Sequence, residues 1–151
     1  MCVGPLEAPD DLLVNPEKYK ELIATELIVA DEKVHYDGVK RYKDKIESGQ
    51  DVGTIIVVKH PRKKLYAVLD GHHRYWAQKE LGRSKIQCAV VQDFIGILFF
   101  FTKEGLLQPT PLFTKYIRIP FEKVKNYLEL FLNEPEKLSE NRINQNRVRA
   151  P

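Results

Sequence analysis

Sulfur-bearing residues and tryptophan are scarce in this chain, with two cysteines, one methionine and one tryptophan in 151 residues. Cys2 and Cys88 make no metal-binding spacing and no disulfide framework. A charge excess of either sign is also missing. The 24 Lys and Arg are nearly balanced by 21 Asp and Glu, so the net charge of +3 is not a nucleic-acid footprint and does not choose a partner. No apolar run is long enough to cross a membrane: Phe94 to Phe101 is strand-sized and is soon interrupted by Lys103 and Glu104. Met1 is followed by no cationic stretch and apolar run of the secretory kind, so a cytoplasmic protein is expected. There is no internal repeat.

What is present suffices for one sizeable core, since 43% of the residues are hydrophobic and 10% aromatic. A single domain over 1–138 is expected. From Ser139 the chain is polar, with Arg142, Arg147 and Arg149 and almost nothing to bury, so 139–151 reads as a disordered tail.

Met1 to Asp11, with Pro5 and Pro9, reads as an irregular lead-in. Asn15-Pro16-Glu17 has the form of an N-cap with proline at the first helical position, which predicts a short helix carrying Tyr19, Leu22 and Ile23 on one face. Leu27-Ile28-Val29 is a short strand candidate. It runs into a polar connection, Ala30 to His35, that contains Asp31 and Glu32. Asp37-Gly38 opens a helix in which Val39, Tyr42 and Ile46 keep helical spacing until Ser48-Gly49.

Thr54 to Val58, a run of β-branched residues, is the clearest strand. His60-Pro61-Arg62-Lys63-Lys64 separates it from Leu65 to Leu69, and the two strands are expected to form an antiparallel hairpin with a solvated basic tip. Ile86 to Val91 is a further strand, with Cys88 a small buried residue in it. Phe94 to Thr102 reads as a phenylalanine-rich strand for core or interface, because no basic residue is interleaved as a base-stacking platform would need. A turn over Gly105 to Thr110 and a strand over Thr114 to Ile119 are expected next. Pro120 then opens a helix with Phe121, Val124, Leu128 and Phe131 on one face, ending near Asn133 and Pro135.

Between the second hairpin strand and a helix ending at Leu81-Gly82 stand Asp70-Gly71-His72-His73-Arg74. A strand-to-helix turn presents unpaired backbone N–H groups at a helix start, where the peptide dipoles favour negative charge. Gly71 allows close approach of a ligand, and Arg74 can fork two hydrogen bonds onto phosphate oxygens. His72 and His73 can donate to phosphate or, when neutral, accept a proton.

The order of helix, hairpin and Asp-Gly-His-His-Arg turn opening a helix before a strand resembles the ParB/sulfiredoxin-like superfamily over about residues 25 to 92. The resemblance implies an α+β fold, a small mixed sheet with packed helices, and a turn that holds nucleotide phosphates. ParB partition proteins carry Gly-Glu-Arg-Arg there, so only Gly71 and Arg74 match. Sulfiredoxins carry Gly-Cys-His-Arg with an essential cysteine, whose place His72 takes, and this argues against sulfiredoxin activity. The free serine kinase branch reads Asp-Gly-His-His-Arg, as this chain does. By that resemblance Asp70, Gly71, His72, His73 and Arg74 bind the cofactor, ADP or ATP with Mg²⁺. It also implies that Glu32, with Asp31 beside it, is the base acting on the acceptor hydroxyl.

Three classes of function follow. The first is a phosphotransferase acting on a small hydroxyl substrate, in which the protein positions phosphates and a carboxylate orients the hydroxyl. The second is a ParB-like nucleic-acid-associated protein, for DNA binding or nuclease action. It is less favoured because no clear helix-turn-helix follows Val91. The third is a nucleotide-binding module without catalysis.

Overall fold

The run Ile55-Ile56-Val57-Val58 lies in the middle of the sheet, where strands are buried on both faces and read as continuous apolar runs. The computed structural model describes residues 11–12, 15–30, 36–100 and 121–138. Its strands are β1 (Lys20–Ala24), β2 (Ile28–Val29), β3 (Ile55–Lys59), β4 (Tyr66–Asp70) and β5 (Lys85–Val91). They form one five-stranded sheet in the order β1-β5-β3-β4-β2. The pairs β1/β5 and β3/β4 are antiparallel, while β3/β5 and β2/β4 are parallel. The helices are α1 (Tyr36–Glu47), α2 (His72–Glu80), α3 (Phe94–Phe100) and α4 (Phe121–Asn133). The fold is therefore α+β, a mixed sheet with packed helices, as expected.

Alternation along the strands feeds two cores, one on each face. Ile55, Val57, Tyr66, Val68, Ile86 and Cys88 pack with Val39 of α1 and with Tyr75, Trp76 and Ala77 of α2. On the other face, Ile56, Val58, Ala67, Leu69, Ala89 and Val91 meet Phe94 and Ile97 of α3 and Val124, Leu128 and Phe131 of α4. Burying each large aliphatic or aromatic side chain contributes about 1.5–3 kcal/mol, so both layers are held chiefly by these contacts.

The expected β3/β4 hairpin is present, with Lys59 opposite Tyr66 and Val58 opposite Ala67. Its tip, Pro61 to Lys64, is exposed, but His60 is completely buried. The His60 ring Nδ1 accepts the backbone N–H groups of Arg62 and Lys63, at 3.0 and 3.1 Å. Nε2 donates to the carbonyl of Leu132 on α4 at 2.9 Å. The ring also lies against Phe94 and Phe131. His60 thus joins the hairpin to α4.

Two expectations are corrected. The short helix expected from Asn15 is only a 3-10 turn, Pro16–Tyr19, and the residues after it form β1. Asn15 makes no side-chain cap. Pairing with β5 prevails over local propensity, and Ile23 turns inward while Leu22 is 61% exposed, so the two do not share a face. The phenylalanine-rich strand is the helix α3. Asp93 caps it by accepting the Gly96 N–H at 3.0 Å, and Phe94 and Ile97, three apart, are buried while Ile95 between them is 60% exposed. The turn expected over Gly105–Thr110, the strand over Thr114–Ile119 and the tail from Ser139 lie outside the described residues. The remaining helices begin and end close to where the sequence places them.

Candidate functional site

Strand β4 gives way to α2 through a single residue, Gly71, whose φ of 108° and ψ of 31° are left-handed. Glycine is required there twice over: by that backbone conformation, and because a Cβ would stand 2.6 Å from Ile55 Cγ2 and 2.9 Å from Arg74 Nη2. A register shift precedes the turn. Ile56 pairs with Asp70 and Val57 with Val68, so Leu69 is the extra residue of a bulge that re-aims the chain. The Gly71 carbonyl accepts the Tyr75 N–H at 2.8 Å, the first bond of α2, and the N-cap residue itself has no side chain to cap the helix. The N–H groups of His72, His73 and Arg74 stand in the first turn of the helix, ahead of that first bond. With the helix dipole behind them, they suit an anion.

Arg74 turns towards the loop ahead of β3. Its Nη1 donates to the carbonyls of Val52 and Thr54 at 3.3 and 3.4 Å, and its Nη2 to Asp70 Oδ2 at 3.3 Å. These bonds are long and hence weak. The expected fork onto phosphate would draw on the same nitrogens. Glu17 joins the cluster by accepting the Thr54 N–H at 2.9 Å. Sequence reading missed Glu17 and this loop. The loop's own signal was legible: Asp51 Oδ1 accepts the Gly53 N–H at 2.9 Å, an Asx-type turn of the kind that Asp-x-Gly favours.

The two histidines face different neighbours. The His72 ring meets Tyr127 of α4 edge-on, with centroids 5.7 Å apart and planes at 73°. The His73 ring lies against Gly38 in the first turn of α1, where a Cβ would come 2.6 Å from its Cδ2. Lys43 and Glu80, 3.1 Å apart, tie α1 to α2. The Tyr75 hydroxyl donates to the carbonyl of Ile28 at 2.8 Å and fixes the start of α2 on β2.

Because β2 and β4 run parallel as neighbours, both strands lead into their helices at the same end of the sheet. The connection from Ala30 to Tyr36 therefore leaves β2 on the side where Gly71 leaves β4, and α1 starts beside α2. Asp31 and Glu32 belong to that connection but lie outside the described residues. On the other turn Asp70 ends β4, Gly71 is the link, and His72, His73 and Arg74 begin α2.

Cys88 takes no part. Its thiol is pushed up to about 12 by burial and by nearby Glu21, which leaves no thiolate at neutral pH. Among the described residues no three His, Cys, Asp or Glu are grouped to hold a metal ion, and no helix is long and apolar enough to cross a membrane.

This chain is similar to a serine kinase. Over 82 residues it is 37% identical to an ATP-dependent L-serine kinase of Desulfurococcus mucosus, covering 52% of this chain and 32% of that protein. The chain thus spans about a third of the length of the curated relative it matches. No family profile matches it. Among solved structures, a free serine kinase in complex with AMP is 20% identical with a TM-score of 0.46, over 50% of this chain and 32% of that one. The C-terminally truncated chromosome-partitioning protein ParB of Caulobacter crescentus, complexed with CTP-gamma-S, is 15% identical with a TM-score of 0.46, over 83% of this chain and 69% of that one.

Proposed function

We propose that this chain binds ADP or ATP through the turn Asp70 to Arg74 and transfers its terminal phosphoryl group to the hydroxyl of a small substrate, as a serine kinase does. The observation that carries this reading is the left-handed Gly71 turn, which sets the N–H groups of His72, His73 and Arg74 at a helix start. The 37% identity to an ATP-dependent L-serine kinase supports it.

The donors at the turn fit a polyphosphate. The backbone N–H groups and the Arg74 guanidinium match its oxygens in sign and number, and His72 and His73 flank them. Asp70 holds Arg74 in line through its carboxylate. Mg²⁺ bound with the nucleotide would neutralise phosphate charge, and Asp70 is the carboxylate at the turn that would assist it. Phosphoryl transfer asks mainly for such positioning and for a carboxylate that orients the hydroxyl. Glu32, with Asp31 as the neighbouring candidate, would supply that carboxylate from the adjoining turn and accept the hydroxyl proton.

A thermal-shift panel with ADP, ATP and CTP, each with Mg²⁺, tests the binding. A ligand at a hundred times its Kd stabilises the folded state by about 2.7 kcal/mol, which is read easily. Turnover is then followed with free serine first among small hydroxyl compounds. If no nucleotide moves the melting curve, the reading is wrong. Nucleotide binding without turnover would leave a non-catalytic module, and DNA binding that weakens steeply with salt would favour the nucleic-acid reading.

A further inference from the structure

We infer that Tyr127 is a positioning residue of the nucleotide turn: through it, helix α4 sets the orientation of the His72 imidazole. The inference rests on the nucleotide reading of the Asp70–Arg74 turn and adds to it an element that lies outside the turn and outside the strand and helix that flank it.

Helix α4 is fixed on the sheet by Val124, Leu128 and Phe131, which are 5%, 0% and 0% exposed. Its C-terminal end is held by the bond from His60 Nε2 to the Leu132 carbonyl at 2.9 Å. Tyr127 extends from this fixed helix, and its hydroxyl donates to the carbonyl of Val68 at 2.9 Å. The phenol is therefore held at both ends, by its own backbone and by β4. Between those anchors its ring meets His72 edge-on at 5.7 Å. Aromatic pairs prefer this arrangement, and it defines the plane of the second ring.

The placement matters because of where Val68 and His72 stand. Val68 is the last residue before the bulge at Leu69, and His72 is the first residue of α2. One side chain thus spans the turn, touching the strand before it and the helix after it. A histidine at a helix start has rotamers that point it away from a ligand as well as towards one. The Tyr127 ring occupies one side of His72 and removes those in which the imidazole would swing onto α4. His72 is then presented to the phosphates in a set orientation, and the ordering cost is met on folding rather than on binding.

The test compares Tyr127→Leu, which loses both ring and hydroxyl, with Tyr127→Phe, which keeps the ring. In the full chain, three quantities are measured: affinity for ADP, affinity for adenosine, and the orientation of the His72 side chain, read by NMR from its χ1 coupling constants and NOEs. In Tyr127→Leu we expect ADP to bind about tenfold more weakly, the equivalent of one misplaced hydrogen bond, with adenosine held to within about twofold. The His72 χ1 populations should change, and Tyr127→Phe should restore most of the ADP affinity. A purely structural role would lower the melting temperature and weaken both ligands alike. That outcome, unchanged ADP affinity, or unchanged His72 χ1 populations overturns the inference. If the parent binds no nucleotide, it is the nucleotide reading that fails. The orientation role is then decided by the His72 χ1 populations of Tyr127→Leu: a change upholds it and no change refutes it.

Discussion

Gly38 and His73 are packed so closely that a methyl group on Gly38 would stand 2.6 Å from the Cδ2 of the imidazole and 3.0 Å from its Nε2. The contact joins the start of α1 to the start of α2, the two helices that follow the parallel neighbours β2 and β4. A glycine in the first turn of a helix costs stability relative to alanine, by about 0.5–1 kcal/mol. Its presence at position 38 is explained by the ring that it admits.

Gly38→Ala sets two effects against each other. The helix gains about 1 kcal/mol of propensity, while the crowding must be relieved by moving His73, typically at about 1–3 kcal/mol. Because a histidine ring can rotate away, the net stability change should stay near 1 kcal/mol in either direction. Nucleotide affinity should nevertheless fall several-fold as His73 leaves its place. Chemical denaturation and calorimetry separate the two. A displaced His73 with undiminished ADP affinity would remove that residue from the phosphate site.

Arg74→Ala removes the contacts to Val52, Thr54 and Asp70 as well as the proposed grip on phosphate. For the ligand, a charge-assisted contact is worth about 1.5–3 kcal/mol, or roughly 10- to 100-fold in affinity. Arg74→Lys keeps the charge but not the planar fork, so it should recover only part of this. Unchanged affinity in Arg74→Ala, measured well below its melting temperature, would count against the site.

Legibility in the sequence followed the strength of the local signal. Strand β3 was plain because Thr54 to Val58 is β-branched throughout, and α1 and α4 were plain because their apolar residues keep helical spacing. The Asp70–Arg74 turn was readable as strand, glycine, helix, and the structure has that order. Two segments misled. In Phe94 to Phe101, aromatic and β-branched residues imitate a buried strand, and only the cap by Asp93 and the inward pair Phe94 and Ile97 reveal a helix. Asn15-Pro16 imitates a helix start, but the edge of β5 needs a partner and takes Lys20–Ala24 as a strand. Contacts that join distant segments, such as Tyr127 with His72 or Glu17 with Thr54, leave no mark in a local pattern.

His60 makes a pH prediction. Burial, above all, holds its imidazole below the ordinary value of 6.5, and the charges of Arg62, Lys63 and Lys59 act in the same direction against the opposing bond to Leu132. Its Nδ1 accepts two backbone N–H groups, so protonation there would break both. Between the folded value and 6.5 the unfolded chain binds more protons than the folded one, and stability therefore rises with pH in that window. Cooling of the melting temperature is expected as pH falls below 6.5. In His60→Gln that part of the pH dependence should flatten, at a cost of about 1–3 kcal/mol at neutral pH from unpaired buried groups. An equally steep acid limb in the variant would assign it to other residues.

The last prediction separates catalysis from binding and concerns Glu32. A base that takes the acceptor's proton acts on the hydroxyl and makes no contact that nucleotide binding requires, so removing its charge should slow chemistry while leaving the ground-state complex intact. Glu32→Gln is accordingly expected to keep ADP and ATP affinity within a few-fold and to lower turnover by about 100-fold or more. Asp31→Asn serves as the neighbouring control, because both carboxylates belong to the connection between β2 and α1 and differ by one step along it. The rate is followed with free serine and other small hydroxyl compounds, with Mg²⁺ present. If Asp31→Asn is inactive and Glu32→Gln turns over like the parent, the base is Asp31, and the argument from the two adjoining turns still holds. If both variants turn over like the parent, no carboxylate of that connection is the base, and proton removal must be sought elsewhere around the Asp70–Arg74 turn.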